Sequence, residues 1–364
     1  MSRIFDEMFS FENLDKAFQQ SLKEGGKYKE EALFFQRNET ANLMSLRDSL
    51  YDRSYTFSGY HEFNVYEPKE RVINAPHYID KIVQLAMGNV LNEIFMPTFI
   101  NESYACMVDR GTHKAVEKVQ QNLRKAKREY GEDAYICKFD VQKFFYSIDR
   151  EVLKVIYRKK IKDEDVLWIM DLITDSGSLI DELGVPLGNS MSQLYANVYL
   201  DQLDQYCKRY LGYKYYVRYA DDVIIVLPSK LEAQKAKNEC IKFVREQLNM
   251  EESKEKTQVY PIKQGVNAYG FKIHPTHRLL RNDSKKKIKR KIKKMPASIA
   301  RGSMSIETAN TMLGSWSGHA RYADSMNFVH GILNRRTYIM VEDKTLKINE
   351  EELLLYIEKT KSLN

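Results

Sequence analysis

The sequence predicts an α+β fold, and three observations carry that expectation. Residues 215–227 hold two β-rich runs flanking Tyr219-Ala220-Asp221-Asp222, which reads as a hairpin with two carboxylates at its tip. A second strand-like run, Tyr135–Val141, has another carboxylate, Asp140, near its end. Long stretches with apolar residues at helical spacing lie around them, among them Ser190–Leu211 and Leu231–Leu248. Adjacent aspartates repel, and apolar strands on either side give such a turn no folding need for both. A divalent cation that prefers hard oxygen ligands would neutralise them. The competing reading is an Asp-Asp turn whose side chains only cap backbone amides. A third carboxylate at the end of another strand favours the cation.

The chain of 364 residues is long enough to bury a large core and to hold two or three subdomains. Its 43% hydrophobic and 29% charged residues match a soluble globular protein. No apolar run approaches the ~20 residues that span a bilayer. The N-terminal residues show no signal-peptide pattern, so a cytoplasmic setting without membrane contact is expected. Cys106, Cys137, Cys207 and Cys240 have no Cys-x-x-Cys spacing and read as buried or free thiols, not as disulfides or zinc ligands. The net charge of +7 is spread unevenly, with its densest run near the C-terminal end.

In chain order, residues 1 to about 60 read as helical, Phe9–Leu14 opening an amphipathic stretch that Gly25-Gly26 ends. Residues 63–76 hold two strand-like runs joined by a charged turn with Lys69 and Arg71, by themselves ordinary solvated charges. Ile82, Leu85, Ala86, Val90, Leu91 and Ile94 then follow a helical period. A helix begins near Thr112, where His113 caps or packs, since no partner ligand lies at metal spacing. Another begins near Arg150, and N-capping explains Asp149 without chemistry. Gly184, Pro186 and Gly188 make a loop whose backbone can approach a ligand closely. Glu255-Lys256-Thr257 precedes a strand, and Val266–Phe271 reads as a short hairpin. Residues 285–294 are dense in lysine and arginine, yet Ile288, Ile292 and Met295 are spaced for one helical face. Most charge runs are solvated faces or tails. This apolar stripe predicts instead a docked helix showing a basic face to a phosphate backbone. Helices are expected over 305–317 and 320–336, and a last one within 341–364 has no assigned role.

Asp140 with Phe145 five residues on, then Gly184–Leu200, then Tyr219-Ala220-Asp221-Asp222, resemble in this order the palm of a reverse transcriptase. The resemblance implies a right-hand polymerase with fingers, a palm with an antiparallel sheet and a helical thumb. Fingers and palm would occupy residues 1–275, a basic thumb 276–340, and the unassigned helix 341–364. It implies an RNA-directed DNA polymerase in which Asp140 and Asp221 hold two Mg²⁺ ions, Mn²⁺ being a substitute, with Asp222 in support. By the same resemblance Lys69 and Arg71 grip the incoming triphosphate, and Lys256 lies near the departing pyrophosphate. Phe145 stands where a 2′-hydroxyl would point, and Gln193 borders the templating base. Arg110 and Gly188 would contact template or primer. Tyr269 and Gly270 would grip the primer terminus, although the family more often has Phe-Leu-Gly where this chain has Ala268-Tyr269-Gly270. Lys286, Lys289, Arg290 and Lys293 would follow an RNA–DNA hybrid through its backbone.

Within that family the more specific resemblance is to reverse transcriptases of diversity-generating retroelements. It rests on Leu187–Gln193, on Gly270-Phe271 with Pro275-Thr276-His277, and on Ser315–Ala320. Retron and group II intron enzymes commonly carry proline at the position of Gln193. Defence-associated (anti-phage) bacterial reverse transcriptases share these motifs, and a non-catalytic RNA-binding remnant is a third reading that the intact aspartates oppose. No ribonuclease H, integrase or zinc-bearing endonuclease domain is expected within these 364 residues, and template, primer and later processing are expected from outside. The expected partners are a structured non-coding or template RNA, an RNA–DNA hybrid and dNTPs, with an accessory protein or a second copy of the chain beside them. The expected setting is the cytoplasm of a bacterium, the gene being bacterial or phage-encoded.

Overall fold

The structure is a computed structural model and describes residues 3–23, 26–66, 70–176, 183–332, 337–341 and 345–361. Helices α1 (Arg3–Met8), α2 (Phe11–Ser21), α3 (Glu30–Gln36) and α4 (Glu39–Tyr51) open the chain. The Ser10 hydroxyl accepts the Asn13 amide at 3.1 Å, so α2 starts on a satisfied donor. Strands β1 (Tyr60–Val65) and β2 (Arg71–Pro76) pair antiparallel, with Val65 opposite Arg71. Of the turn between them, Glu67, Pro68 and Lys69 lie outside the described residues. Next come α5 (Tyr78–Phe95), which packs on α2, and α6 (Thr112–Tyr130).

Strand β3 (Tyr135–Asp140) leads through α7 (Phe144–Ser147) to α8 (Arg150–Arg158) and α9 (Glu164–Asp175). The Asp149 carboxylate accepts the Val152 amide at 3.0 Å, the expected cap of α8. Asn189 caps α10 (Ser190–Gln205) on the Met191 amide at 2.8 Å. Strands β4 (Tyr215–Tyr219) and β5 (Asp222–Leu227) form the acidic hairpin, followed by α11 (Lys230–Leu248) and β6 (Gln258–Pro261). The sheet order is β4-β5-β3-β6, so β3 and its terminal Asp140 lie beside the strand that begins at Asp222. Successive residues Val223 to Val226 are all buried. Neighbouring side chains on a strand point to opposite faces, so both faces of β5 are covered.

By its internal contacts the chain divides into two units, one of residues 1–111, 137–225 and 231–259, the other of 112–136, 226–230 and 260–364. The second carries the three-stranded antiparallel sheet of β7 (Val266–Ala268), β8 (Phe271–Ile273) and β9 (Arg278–Leu280). Helices α12 (Asn282–Ala300), α13 (Ile306–Ala320) and α14 (Met326–Ile332) follow, then the hairpin β10 (Tyr338–Met340) and β11 (Leu346–Ile348), and last α15 (Glu350–Lys361). Ile288, Ile292 and Met295 of α12 are buried with Leu313, Tyr338, Leu346, Ile348 and Leu353. The lysine-rich run is therefore a docked helix, and the C-terminal segment shares its core. The helix expected from 320 starts only at Met326, because the intervening turn is bound to β9. The Asp324 amide donates to the Arg278 carbonyl at 2.7 Å, and the Leu280 amide donates to the Ser325 hydroxyl at 3.2 Å. Residues 333–336 of that expected helix lie outside the described residues. No helix among the described residues is long and apolar enough to cross a membrane.

An ion pair is completely buried in the first unit. Arg218 of β4 and Asp204 of α10 are both fully buried. The guanidinium Nε donates to both carboxylate oxygens at 2.8 Å and Nη2 donates at 2.7 Å. The Tyr216 hydroxyl donates to the same carboxylate at 2.6 Å. Nη1 donates to Asn197 and to the Ala220 carbonyl, each at 3.1 Å. That last bond pins Ala220, whose φ of +53° is a costly conformation for a residue with a Cβ. Removing one partner leaves the other charge buried alone. Arg218→Met or Asp204→Leu is expected to destabilise the protein by about 3–5 kcal/mol, and the double substitution to recover much of that loss. Urea unfolding checks this, and single variants with wild-type midpoints would contradict it.

Candidate active site

Asp140 ends β3 with its backbone clamped from two sides. Its amide donates to the Thr257 hydroxyl at 3.2 Å, and its carbonyl accepts the Ser253 amide at 2.7 Å. Its buried carboxylate accepts Lys256 Nζ on both oxygens, at 2.7 and 2.8 Å. Asp221 lies in the turn that Arg218 pins, and Asp222 opens β5. Lys138 Nζ lies 3.1 Å from the Asp222 carboxylate. Lys138 and Asp140 stand two residues apart on one strand and so share a face.

Burial raises the Asp221 carboxyl above its ordinary value, and the charge of Asp140 raises it further, against Lys256 and Arg71. Asp222 is pushed up to about 6, chiefly by burial; Lys138 opposes this, while Asp140 and Asp221 add repulsion. For Lys256, burial favours the neutral amine, but its bond and attraction to Asp140 outweigh this and raise its pKa. Three carboxylates thus repel one another in a buried place, held by two ammonium groups. Such an all-oxygen donor set suits Mg²⁺ or Mn²⁺. Asp140, Asp221 and Asp222 would be the residues to hold such an ion here. The Lys256 ammonium across both Asp140 oxygens stands in for a cation there.

Of the other expected residues, Arg71 opens β2 near enough for its charge to act on Asp221. Lys69 lies outside the described residues. Phe145 is half-buried on α7, its carbonyl accepting the Val185 amide at 2.9 Å. Gln193 is exposed in the first turns of α10. Gly188 has φ +110°, and a Cβ there would lie 2.8 Å from the Ile73 side chain and 2.9 Å from the Asn74 carbonyl. What this glycine lets approach is β2, not open space. Arg110 donates Nη1 to the carbonyls of Ile100 at 2.9 Å and Ser103 at 2.5 Å, closing its own loop.

In the second unit, Tyr269 and Gly270, at φ +52° and +89°, make the two-residue turn between β7 and β8. Lys286, Lys289, Arg290 and Lys293 are exposed on α12. Lys289 lies over the Phe328 ring at 5.3 Å. His113 packs as expected, stacked on Tyr322 with centroids 3.5 Å apart. Sequence reasoning missed Lys138 and Arg218. The available signal was a cation inside an apolar strand beside an acidic residue, since arginine is almost never fully buried without a partner.

The reverse transcriptase (RNA-dependent DNA polymerase) family matches residues 65–273, the stretch that holds all three carboxylates. The chain is 26% identical over 305 residues to protein YkfC of Escherichia coli K12, covering 71% of this chain and 76% of that protein. It is 26% identical over 273 residues to the group II intron-encoded protein LtrA of Lactococcus lactis, covering 56% of this chain and 44% of LtrA. A solved structure of telomerase from Candida albicans aligns with a TM-score of 0.45 at 14% identity, over 75% of this chain and 54% of that one. The chain therefore spans less than half of LtrA and about half of the telomerase chain.

The acidic cluster has a consequence for stability. Folded, Asp222 keeps its proton up to about pH 6, whereas an unfolded aspartate loses it near pH ~3.9. The folded state binds more protons between these values, so this group lowers stability as pH rises through that window. With EDTA at pH 7.5, Asp222→Asn is expected to melt above wild type, and the gap to close towards pH 4. Thermal unfolding at both pH values checks this. A variant that melts lower at pH 7.5 would contradict it.

Proposed function

Because this chain belongs to the reverse transcriptase (RNA-dependent DNA polymerase) family, we propose that it builds DNA on a structured RNA template by nucleotidyl transfer, as part of a diversity-generating retroelement. The observation that carries the chemistry is the position of Asp140 and Asp222 on neighbouring strands, with Asp221 in the adjoining turn and its carboxyl raised by burial and then by the charge of Asp140. Asp140 and Asp221, with Asp222 in support, would hold two Mg²⁺ ions, which would supply Lewis acidity toward the primer hydroxyl and positive charge toward the triphosphate. The protein's own groups do the rest. Arg71 and Lys69 present positive charge to the incoming triphosphate. Lys256 exchanges Asp140 for the departing pyrophosphate and meets its growing charge as an ammonium. Phe145 bars a ribose hydroxyl by bulk. Gly188 keeps the loop before α10 close to β2, and the Tyr269-Gly270 turn holds the primer end. Lys286, Lys289, Arg290 and Lys293 follow the hybrid by charge, without reading sequence. A second copy of the chain or an accessory protein would supply what these units do not.

The retroelement assignment rests on Leu187–Gln193, on Gly270-Phe271 with Pro275-Thr276-His277 and on Ser315–Ala320, and Gln193 is the residue through which it is tested. Its exposed amide offers a donor and an acceptor, where proline would be rigid and apolar. A side chain of this kind beside the templating base can satisfy a mismatch. One experiment tests both levels: copy a defined RNA with Mg²⁺ and dNTPs, then sequence the DNA. Wild type is expected to extend the primer with errors concentrated at template adenines. Asp140→Asn and Asp221→Asn should make no DNA while still binding RNA, and Gln193→Pro should copy adenines more accurately. Full extension by either aspartate variant would overturn the polymerase reading. A native enzyme accurate at adenines would leave the polymerase and move the role to phage defence.

A further inference from the structure

Three side chains far from the acidic cluster in sequence meet on the first unit. Glu31 comes from α3, His61 from β1, and His77 from the residue that precedes α5. One ligand atom from each lies within 4.8 Å of the other two. His61 Nε2 stands 3.7 Å from Glu31 Oε1. The two imidazole rings are 4.0 Å apart between centroids and tilted by 57°. From this geometry we propose that Glu31, His61 and His77 bind a transition-metal dication of the Zn²⁺ kind, separate from the Mg²⁺ carboxylates and independent of the polymerase reading.

The donor chemistry separates the two sites. Two imidazoles and one carboxylate make a three-ligand zinc set that leaves a fourth position to water or a guest. Imidazole suits zinc and its neighbours, while magnesium takes oxygen. The spacing is also close to what zinc needs. Metal–ligand bonds of about 2.0–2.1 Å at tetrahedral angles put ligand atoms roughly 3.3 Å apart. The 3.7 Å pair is nearly there, and the remaining gap closes by rotating side chains that are not buried.

The backbone holds two of the three ligands side by side. His61 is paired in β1 opposite Ala75, and the His77 amide donates to the Gly59 carbonyl at 3.4 Å. Both histidines therefore sit at the root of the β1–β2 hairpin, and Glu31 is brought to them by α3. An ion pair between His61 and Glu31 is the competing account. At 60% and 51% exposure such a pair contributes little, and it leaves the second histidine unexplained. A bound ion would clip α3 to the hairpin root, at the end opposite Arg71. Glu31 and His77 also line an open groove of about 770 Å³ whose walls mix aromatic rings, Phe34 and Tyr55 among them, with serine hydroxyls such as Ser49 and Ser58.

The test is zinc retention by the full chain. Protein stripped with EDTA is incubated with Zn²⁺, passed through gel filtration, and its metal content measured. Wild type and the Asp140→Asn/Asp221→Asn double variant are expected to retain one zinc per chain. His61→Ala and His77→Ala should retain none, and Zn²⁺ should raise the melting temperature of wild type but not theirs. Should a histidine variant misfold by circular dichroism, diethyl pyrocarbonate labelling of wild type reads the same site. Zn²⁺ must then shield His61 and His77 from modification. Wild type that retains no zinc overturns the proposal. So does zinc that survives loss of either histidine or that leaves with the aspartates.

Discussion

The buried pair of Arg218 and Asp204 is the constraint on which the rest of the first unit depends. A guanidinium does not give up its charge, so its burial requires a complete set of partners. Those partners come from α10 through Asp204 and Asn197 and from the turn through the Ala220 carbonyl, while Tyr216 of the strand donates to Asp204. Asn197 in turn donates to the Ala105 carbonyl at 3.0 Å. A second carboxyl nearby, Asp201, is pushed up to about 6 by burial and then by Asp204. Its oxygens accept Gln205 Nε2 at 2.9 and 3.2 Å, while Asp204 takes the arginine. One side chain therefore fixes the helix, the strand and the turn that carries Asp221.

Around that fixed turn the acidic cluster is a place of unbalanced charge. Lys138 and Lys256 come from different segments and each takes one carboxylate, yet Asp221 and Asp222 remain above the usual carboxylate range. Like charges held together in a buried site favour protonation or a cation. At neutral pH the protein bears that repulsion because the buried network behind it holds the backbone. Folding thus tolerates at this point a repulsion that a bound cation would relieve.

Periodic features were legible before any coordinates. The stripe of Ile288, Ile292 and Met295 turned the lysine run into a docked helix, and the Asp149 cap needed only its place before Arg150. The strand positions of Asp140 and Asp222 followed from apolar patterning, but their adjacency is set by the order β4-β5-β3-β6. Single residues with remote partners were not legible. Gly188 signals a close approach without saying that β2 is what comes near. Arg110 invited a phosphate contact, while two carbonyls of its own loop take one end of its guanidinium. Arg218 in a run of tyrosines and valine gives no hint of an aspartate one helix earlier. Partners of that kind exist only once the chain is folded.

A metal centre on Asp140 and Asp221 is tested most directly by Mn²⁺ binding, read by electron paramagnetic resonance on zinc-loaded protein without substrate. Wild type is predicted to broaden the free Mn²⁺ signal and Mg²⁺ to restore it, while the Asp140→Asn/Asp221→Asn protein leaves it unchanged. Equal binding by the two proteins would contradict a centre built on these carboxylates.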